Sequence, residues 1–241
     1  MFIGIGTVVN GAAVIIGGIL GIIFKKALKT RMQETMMKAM GLSVIFIGAF
    51  GALNRFSEIS GTEKETLHIV LMVIALGLGA LFGELINIQD KTEKFGAWLK
   101  EKTKSQSDNS FIDGFVYASL TVCIGAMAVI GPIEDALLNN PSTLFTKAIL
   151  DFVIIMVMAS SLGKGAIFSA LPLIAFQGSV TVLAKVIEPL LSDLAVTNIS
   201  FIGSMLIFCV GVNLFSDKQV VRVANILPAL IFIVLFSIIP V

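Results

Sequence analysis

Leu144-Phe145-Thr146-Lys147-Ala148-Ile149-Leu150-Asp151-Phe152-Val153-Ile154-Ile155-Met156-Val157-Met158-Ala159-Ser160-Ser161-Leu162 is the stretch that decides the class of this protein. It is long and apolar enough to cross a bilayer as a helix, which takes about 20 residues. Lipid offers no partner to a free amide or carbonyl, so such a run must close its backbone hydrogen bonds within itself. Yet Asp151 stands roughly midway along it. An ionisable group at that depth costs about 2.5–3.5 kcal/mol on insertion scales, so something must meet it there. Lys147 lies one turn earlier on the same helix face and has a stem long enough to snorkel outwards. Two readings follow. Asp151 is a proton or cation site with Lys147 as its switchable counter-charge, or the two form a structural ion pair that pins this helix to its neighbours.

Seven further runs read the same way, which gives eight in all: Ile3–Phe24, Met37–Leu53, Leu67–Ile88, Phe111–Ile130, Leu144–Leu162, Ala166–Ile187, Ser200–Phe215 and Val223–Ile239. The second and seventh are short, as upright or partly re-entrant segments would be. Composition agrees: of 241 residues 56% are hydrophobic and 14% charged, and the mean hydropathy is +0.99. A soluble domain carries about 25% charged residues, so this chain cannot clothe a water-facing surface. A soluble enzyme, a nucleic-acid binder and a disordered scaffold are excluded. The expectation is an all-α polytopic membrane protein forming one domain over residues 1–241.

Basic residues orient the runs. With the N-terminus outside, the cytoplasmic loops hold Lys25, Lys26, Lys29, Arg31, Lys38, Lys91, Lys94, Lys100, Lys102, Lys104, Lys164, Lys218 and Arg222, 13 in all, against 3 outside, Arg55, Lys64 and Lys185. That bias follows the positive-inside rule and places both termini outside. The apolar start, Met1-Phe2-Ile3-Gly4, has no basic segment before it and reads as a retained first span rather than a cleaved leader. In the longest polar loop, Phe95, Trp98 and Leu99 share one helical face among lysines, the pattern of an interfacial helix or of a solvated linker. Ser105–Ser110 reads as flexible linker.

A repeat is visible. Val9-Asn10-Gly11 leads through a loop into Gly41-Leu42-Ser43-Val44-Ile45-Phe46-Ile47-Gly48, and Phe176-Gln177-Gly178 leads likewise into Gly203 through Gly211. Residues 1–88 would thus match 166–241, with 111–162 between them. The offset of five spans is odd, so the copies cross in opposite senses, as in many secondary transporters. Asn10 and Gln177 become matched amides that either line a site on the pseudo-twofold axis or bond across helices, for about 0.6 kcal/mol each.

Other polar candidates are Glu84, a boundary carboxylate or a site; Ser119 and Thr121 in an uncharged polar run; and Asn213 and Asn225 near the inner ends of the last two spans. Pro172 either kinks the sixth span or breaks it before Gly178, which would free carbonyls for a cation. Gly17-x-x-x-Gly21 and Gly79-x-x-x-Gly83 are close-packing motifs. Cys123 and Cys209 are apolar fillers. With one histidine, His68, no metal site is expected, and no hydrolase or nucleotide-binding motif occurs, so neither a cofactor nor an enzyme activity is expected.

Together Ala118-Ser119-Leu120, Cys123-x-Gly125-x-Met127-Ala128, Lys147-Ala148-x-x-Asp151, Leu162-Gly163-x-Gly165, Gln177-Gly178, Gly6-Thr7-Val8-Val9-Asn10 and Arg222-Val223-Ala224-Asn225-Ile226-Leu227-Pro228-Ala229 resemble the YdfK/YqgA-like family of bacterial inner-membrane proteins. The resemblance implies a multi-pass protein of the cytoplasmic membrane and supplies no activity. Asp135-Ala136 and Asp151-Phe152 depart from the Asp-Gly pairs expected there. The function read from the residues is a secondary transporter or ion-coupled permease for a small solute or ion, with Asp151, Lys147, Asn10, Gln177 and the polar run as its site. The alternatives are a passive channel, or a non-transporting scaffold whose small-residue stripes make a homo-oligomer contact. Its partners would be the lipid bilayer and a small solute, with no nucleic acid.

Overall fold

Helix α1 (Ile5–Ala27) shows how this chain packs. Thr7, Asn10, Gly11, Val14, Gly17, Gly18 and Gly21 are buried, while Val8, Val9, Ile15, Ile16, Ile19 and Ile23 are exposed. Small and polar residues face the protein and large apolar ones face outwards. That arrangement suits a lipid solvent, where apolar surface gains nothing by burial and close backbone approach drives association.

The computed structural model describes residues 2–27, 29–60, 65–124, 127–187, 192–216 and 219–238. Lys64, Gly125, Lys218 and Ile239, and the side chains of Lys26, Met37 and Lys185, lie outside the described residues. The remaining helices are α2 (Thr30–Ile59), α3 (Glu65–Ile86), α4 (Ile88–Lys102), α5 (Phe111–Cys123), α6 (Met127–Leu138), α7 (Ser142–Leu162), a 3-10 turn (Lys164–Ser169), α8 (Ala170–Ile187), α9 (Asp193–Ser216), α10 (Val223–Ile226) and α11 (Ala229–Ile238).

Five segments are long and apolar enough to cross a membrane: Ile5–Lys25, Thr66–Ile86, Ser142–Leu162, Lys164–Ala184 and Ala195–Ser216. Phe111–Cys123 and Met127–Leu138, bent by 56°, make a sixth if taken together. Gly41–Ser57 and Val223–Ser237 are shorter apolar helices. The seventh run is not short, because α9 continues three turns past the sequence boundary on the side of Asp193, through Thr197 and Asn198.

Glycine contacts fix the directions of these helices. A Cβ on Gly17 or Gly21 would strike the Phe152 or Met156 carbonyl, so α1 and α7 run parallel. Gly41 and Gly48 meet the backbone of Phe215 and Phe208, so α2 and α9 are antiparallel. Gly79 and Gly83 meet Ala229 and Asn225 in the same antiparallel sense, which pairs α3 with α11 and α10. Gly4 faces Thr181 and Gly11 faces Ile174, which makes α1 and α8 antiparallel. Both glycine motifs are therefore filled within the chain and are not free stripes for an oligomer contact.

Two loop readings need correction. Ser105–Ser110 is an ordered turn: Ser105 is buried, and Asp108 Oδ2 accepts the Lys164 N–H at 2.8 Å beside Gly163, whose φ of +88° suits glycine. Pro172 does not break its span, since α8 runs from Ala170 through Gly178 to Ile187. As the third residue of α8, Pro172 lacks an N–H that the first turn leaves unpaired anyway.

Candidate functional site

The break falls instead in the fourth run. Helix α5 ends at Cys123 and α6 begins at Met127. Pro132 inside α6 offers no N–H to the Ala128 carbonyl four residues back, which weakens the helix beside the break. Against this bend α2, α7 and α9 enclose a pocket of about 300 Å³. Thr121, Ile124, Met127 and Ala128 line it from both sides of the break, Asn54 and Arg55 from α2, Lys147, Asp151 and Ile154 from α7, and Ser200 and Ser204 from α9.

Asp151 lies at the midpoint of α7 and is 3% exposed. Lys147 Nζ donates to Asp151 Oδ1 at 3.0 Å and lies 2.9 Å from Oδ2. Asn10 Nδ2 donates to Oδ2 at 3.0 Å. The i, i+4 spacing read from the sequence therefore gives a direct ion pair, held from a second helix by an amide and bordered by a pocket. Hydrogen bonds to a charged group are worth about 1.5–3 kcal/mol, and here they stand in for the water the carboxylate lacks.

The structure gathers Asp151, Lys147 and Thr121 at the pocket and leaves the other candidates elsewhere. Asn10, wholly buried, touches Asp151 from behind and is not on the pocket wall. Gln177, also wholly buried, is on α8 facing α1, away from the pocket wall. The expected pocket lined by Asn10, Asp151 and Gln177 is thus corrected: close glycine contacts fill the seam between α1 and α8, and open space arises where α5 and α6 diverge. Ser119 donates to the Phe115 carbonyl at 2.6 Å and is not on the wall, while Thr121 donates to the Tyr117 carbonyl at 2.7 Å.

Glu84 is half exposed and paired with Arg222 at 3.0 Å, and Arg222 also bonds Asp90, so Glu84 belongs to a boundary ion cluster. Asn213 is a loop fastener: Oδ1 accepts the N–H groups of Val220 and Val221 at 2.8 and 2.9 Å, and Nδ2 donates to the Val221 carbonyl at 2.7 Å. Asn225 Oδ1 accepts the Gln89 N–H at 2.7 Å and docks α4. Neither asparagine lines the pocket.

Sequence reading missed Arg55, Asn54, Ser200, Ser204 and Asp135. Ser200 and Ser204 resemble ordinary small residues of a span until the neighbouring helices are placed. Asp135 is wholly buried, and its Oδ2 accepts the Gly6 N–H at 3.0 Å, so an acid on α6 caps α1. Hydropathy stops the fourth run at Ile130 because Pro132, Glu134 and Asp135 follow closely. The available signal was that Asp135 lies on the same helical stretch as Ile133 and Leu137.

The fold and this centre define a polytopic α-helical membrane protein with a buried acid–amine pair beside a pocket at a broken helix. The chain belongs to the family described as "Protein of unknown function (DUF554)", which matches residues 5–238. It is 30% identical over 226 residues to the uncharacterized membrane protein YdfK of Bacillus subtilis (strain 168), covering 94% of this chain and 92% of that protein. It is 27% identical over 231 residues to the uncharacterized protein YqgA of Escherichia coli (strain K12), covering 94% and 93%. The family resemblance seen in the motifs thus spans the chain. No solved structure matches it.

Proposed function

We propose that this protein is a secondary transporter for a small polar solute, coupled to an ion through Asp151. The observation that carries the reading is the buried Lys147–Asp151 pair at the midpoint of α7, on the wall of a pocket of about 300 Å³. Sites of this kind sit near the midplane beside discontinuous helices. When a proton joins Asp151, the Coulomb attraction holding Lys147 vanishes and its ammonium is released to the pocket, where a solute with an anionic group would meet it. The N-terminus of α6 at the break favours the same charge. The reading assigns no enzymatic chemistry.

In this reading the chain crosses a bacterial cytoplasmic membrane eight times, with both termini outside. The helix directions support the count: α1 is parallel to α7 and antiparallel to α8, and α2 and α9 are opposed, as are α3 and α11. The 13 to 3 distribution of basic residues supports the orientation. The first three spans would pair with the last three as an inverted repeat, with α5–α6 and α7 between, which fits the antiparallel pairing of α1 with α8, α2 with α9 and α3 with α11.

The test is flux. Protein in liposomes with a trapped pH-sensitive dye, challenged with a panel of small organic acids and amino acids, should show solute-driven proton movement. Asp151→Asn should abolish it while the protein still inserts and folds. Unchanged flux in that variant removes Asp151 from the mechanism.

A further inference from the structure

Five buried polar atoms without a hydrogen-bond partner among the described residues lie around the first turns of α1. They are Thr7 Oγ1, Asn10 Oδ1, Asp135 Oδ1, and Gln177 Oε1 and Nε2. Thr7 is 4% exposed, and Asn10, Asp135 and Gln177 are 0%. Natural proteins seldom leave such groups unmet, because each costs about 1–3 kcal/mol.

Their placement is convergent. Gly4 faces Thr181 and Gly11 faces Ile174 across the α1–α8 seam. Thr7 is three residues from Gly4 and four from Gly11, so it lies on the face of α1 turned to α8. Gln177 is four residues from Thr181 and three from Ile174, so it lies on the face of α8 turned to α1, at the same level. Asp135 is fixed at that level from α6 by its bond to the Gly6 N–H, which engages Oδ2 and leaves Oδ1. Asn10 follows one turn deeper than Thr7, with its amide nitrogen on Asp151 and its oxygen remaining.

We propose that the Thr7, Asn10, Asp135 and Gln177 oxygens form an occluded site for one sodium ion, distinct from the pocket at Asp151. The chemistry decides the class of ligand. Hard cations take oxygen donors, and calcium asks for six to eight, usually with several carboxylates. Here a single carboxylate joins three neutral oxygens, which balances one positive charge. Magnesium holds its waters and an octahedral shell too tightly for a closed seam of helices. Lys147 already balances Asp151, so the charge of Asp135 is the one left for an ion. The site does not depend on the transport reading, although Asn10 links it to Asp151.

The test is the unfolding midpoint of the purified protein in nanodiscs, in sodium chloride and in choline chloride at matched ionic strength. A ligand bound only by the folded state stabilises it. Sodium should raise the midpoint saturably, by roughly 5–10 °C when it exceeds its dissociation constant about a hundredfold. Asp135→Asn and Thr7→Val should lose most of that rise. Gln177→Leu should lose it too, while in choline it should be at least as stable as the parent, because a buried amide without a partner has gone. That variant carries the test if Asp135→Asn fails to fold through loss of the α1 cap. Asp151→Asn should keep the sodium response, so this proposal and the transport reading fail on different variants. Equal midpoints in sodium and choline, or a sodium rise that survives in Gln177→Leu, overturn the site.

Discussion

Lys147→Met isolates the energetics of the central pair. Methionine keeps the unbranched stem and its packing and removes only the ammonium. Asp151 then loses its contacts at 3.0 and 2.9 Å and keeps the single amide of Asn10 at 3.0 Å. Both side chains are nearly sealed, at 8% and 4% exposure, so water is poorly placed to replace the lost charge. Two unit charges about 4 Å apart at an effective dielectric near 20 attract by about 4 kcal/mol. Removing one member of a buried pair costs about 3–5 kcal/mol, because the other charge is stranded. For a chain of this size that corresponds to a fall in unfolding midpoint of roughly 6–20 °C. Asp151→Asn should cost less, since the ammonium left behind borders the pocket. The double variant Lys147→Met/Asp151→Asn removes both charges and should regain at least about 2 kcal/mol over the sum of the single losses. The assay is thermal unfolding of the three variants in nanodiscs, followed by helical circular dichroism. A Lys147→Met cost below about 1 kcal/mol, or strictly additive single effects, would refute the claim that the pair is a sealed unit.

A Cβ on Gly83 would overlap the Asn225 carbonyl, so Gly83→Val should separate α3 from α10 and cost about 3 kcal/mol or more, read as a lower unfolding midpoint; a midpoint within a degree of the parent would contradict that contact. Trp98, the one tryptophan, is half exposed on α4 and stacks on Phe95 at 5.6 Å. As part of an interfacial helix it should be quenched more by lipids brominated near the headgroup than by lipids brominated at the chain ends. Quenching by aqueous iodide alone would make α4 a solvated arm.

The class of the protein was legible in the sequence because lipid imposes a one-dimensional rule, long apolar runs with charge between them. The Lys147–Asp151 pair was legible for the same kind of reason, since a separation of four residues brings two side chains together on any helix. Asn213 and Asn225 could be flagged as polar residues near span ends. Their work as a loop fastener and as a dock for α4 depends on Val220, Val221 and Gln89 arriving from other segments.

What the chain alone determined, then, is everything that follows from hydropathy and helical period: membrane residence, the extent of most spans, the depth of Asp151 and its amine partner. Only the tertiary structure decided that Asn10 supports Asp151 from behind, that the helix breaks at Ile124–Met127 rather than after Pro172, and that Asp135 caps α1. These depend on which helices approach closely enough for atoms distant in sequence to meet, and on where their divergence leaves space. A hydropathy profile describes the preference of each residue for lipid. It contains no information on which glycine faces which carbonyl, and those contacts set the seams and the pocket.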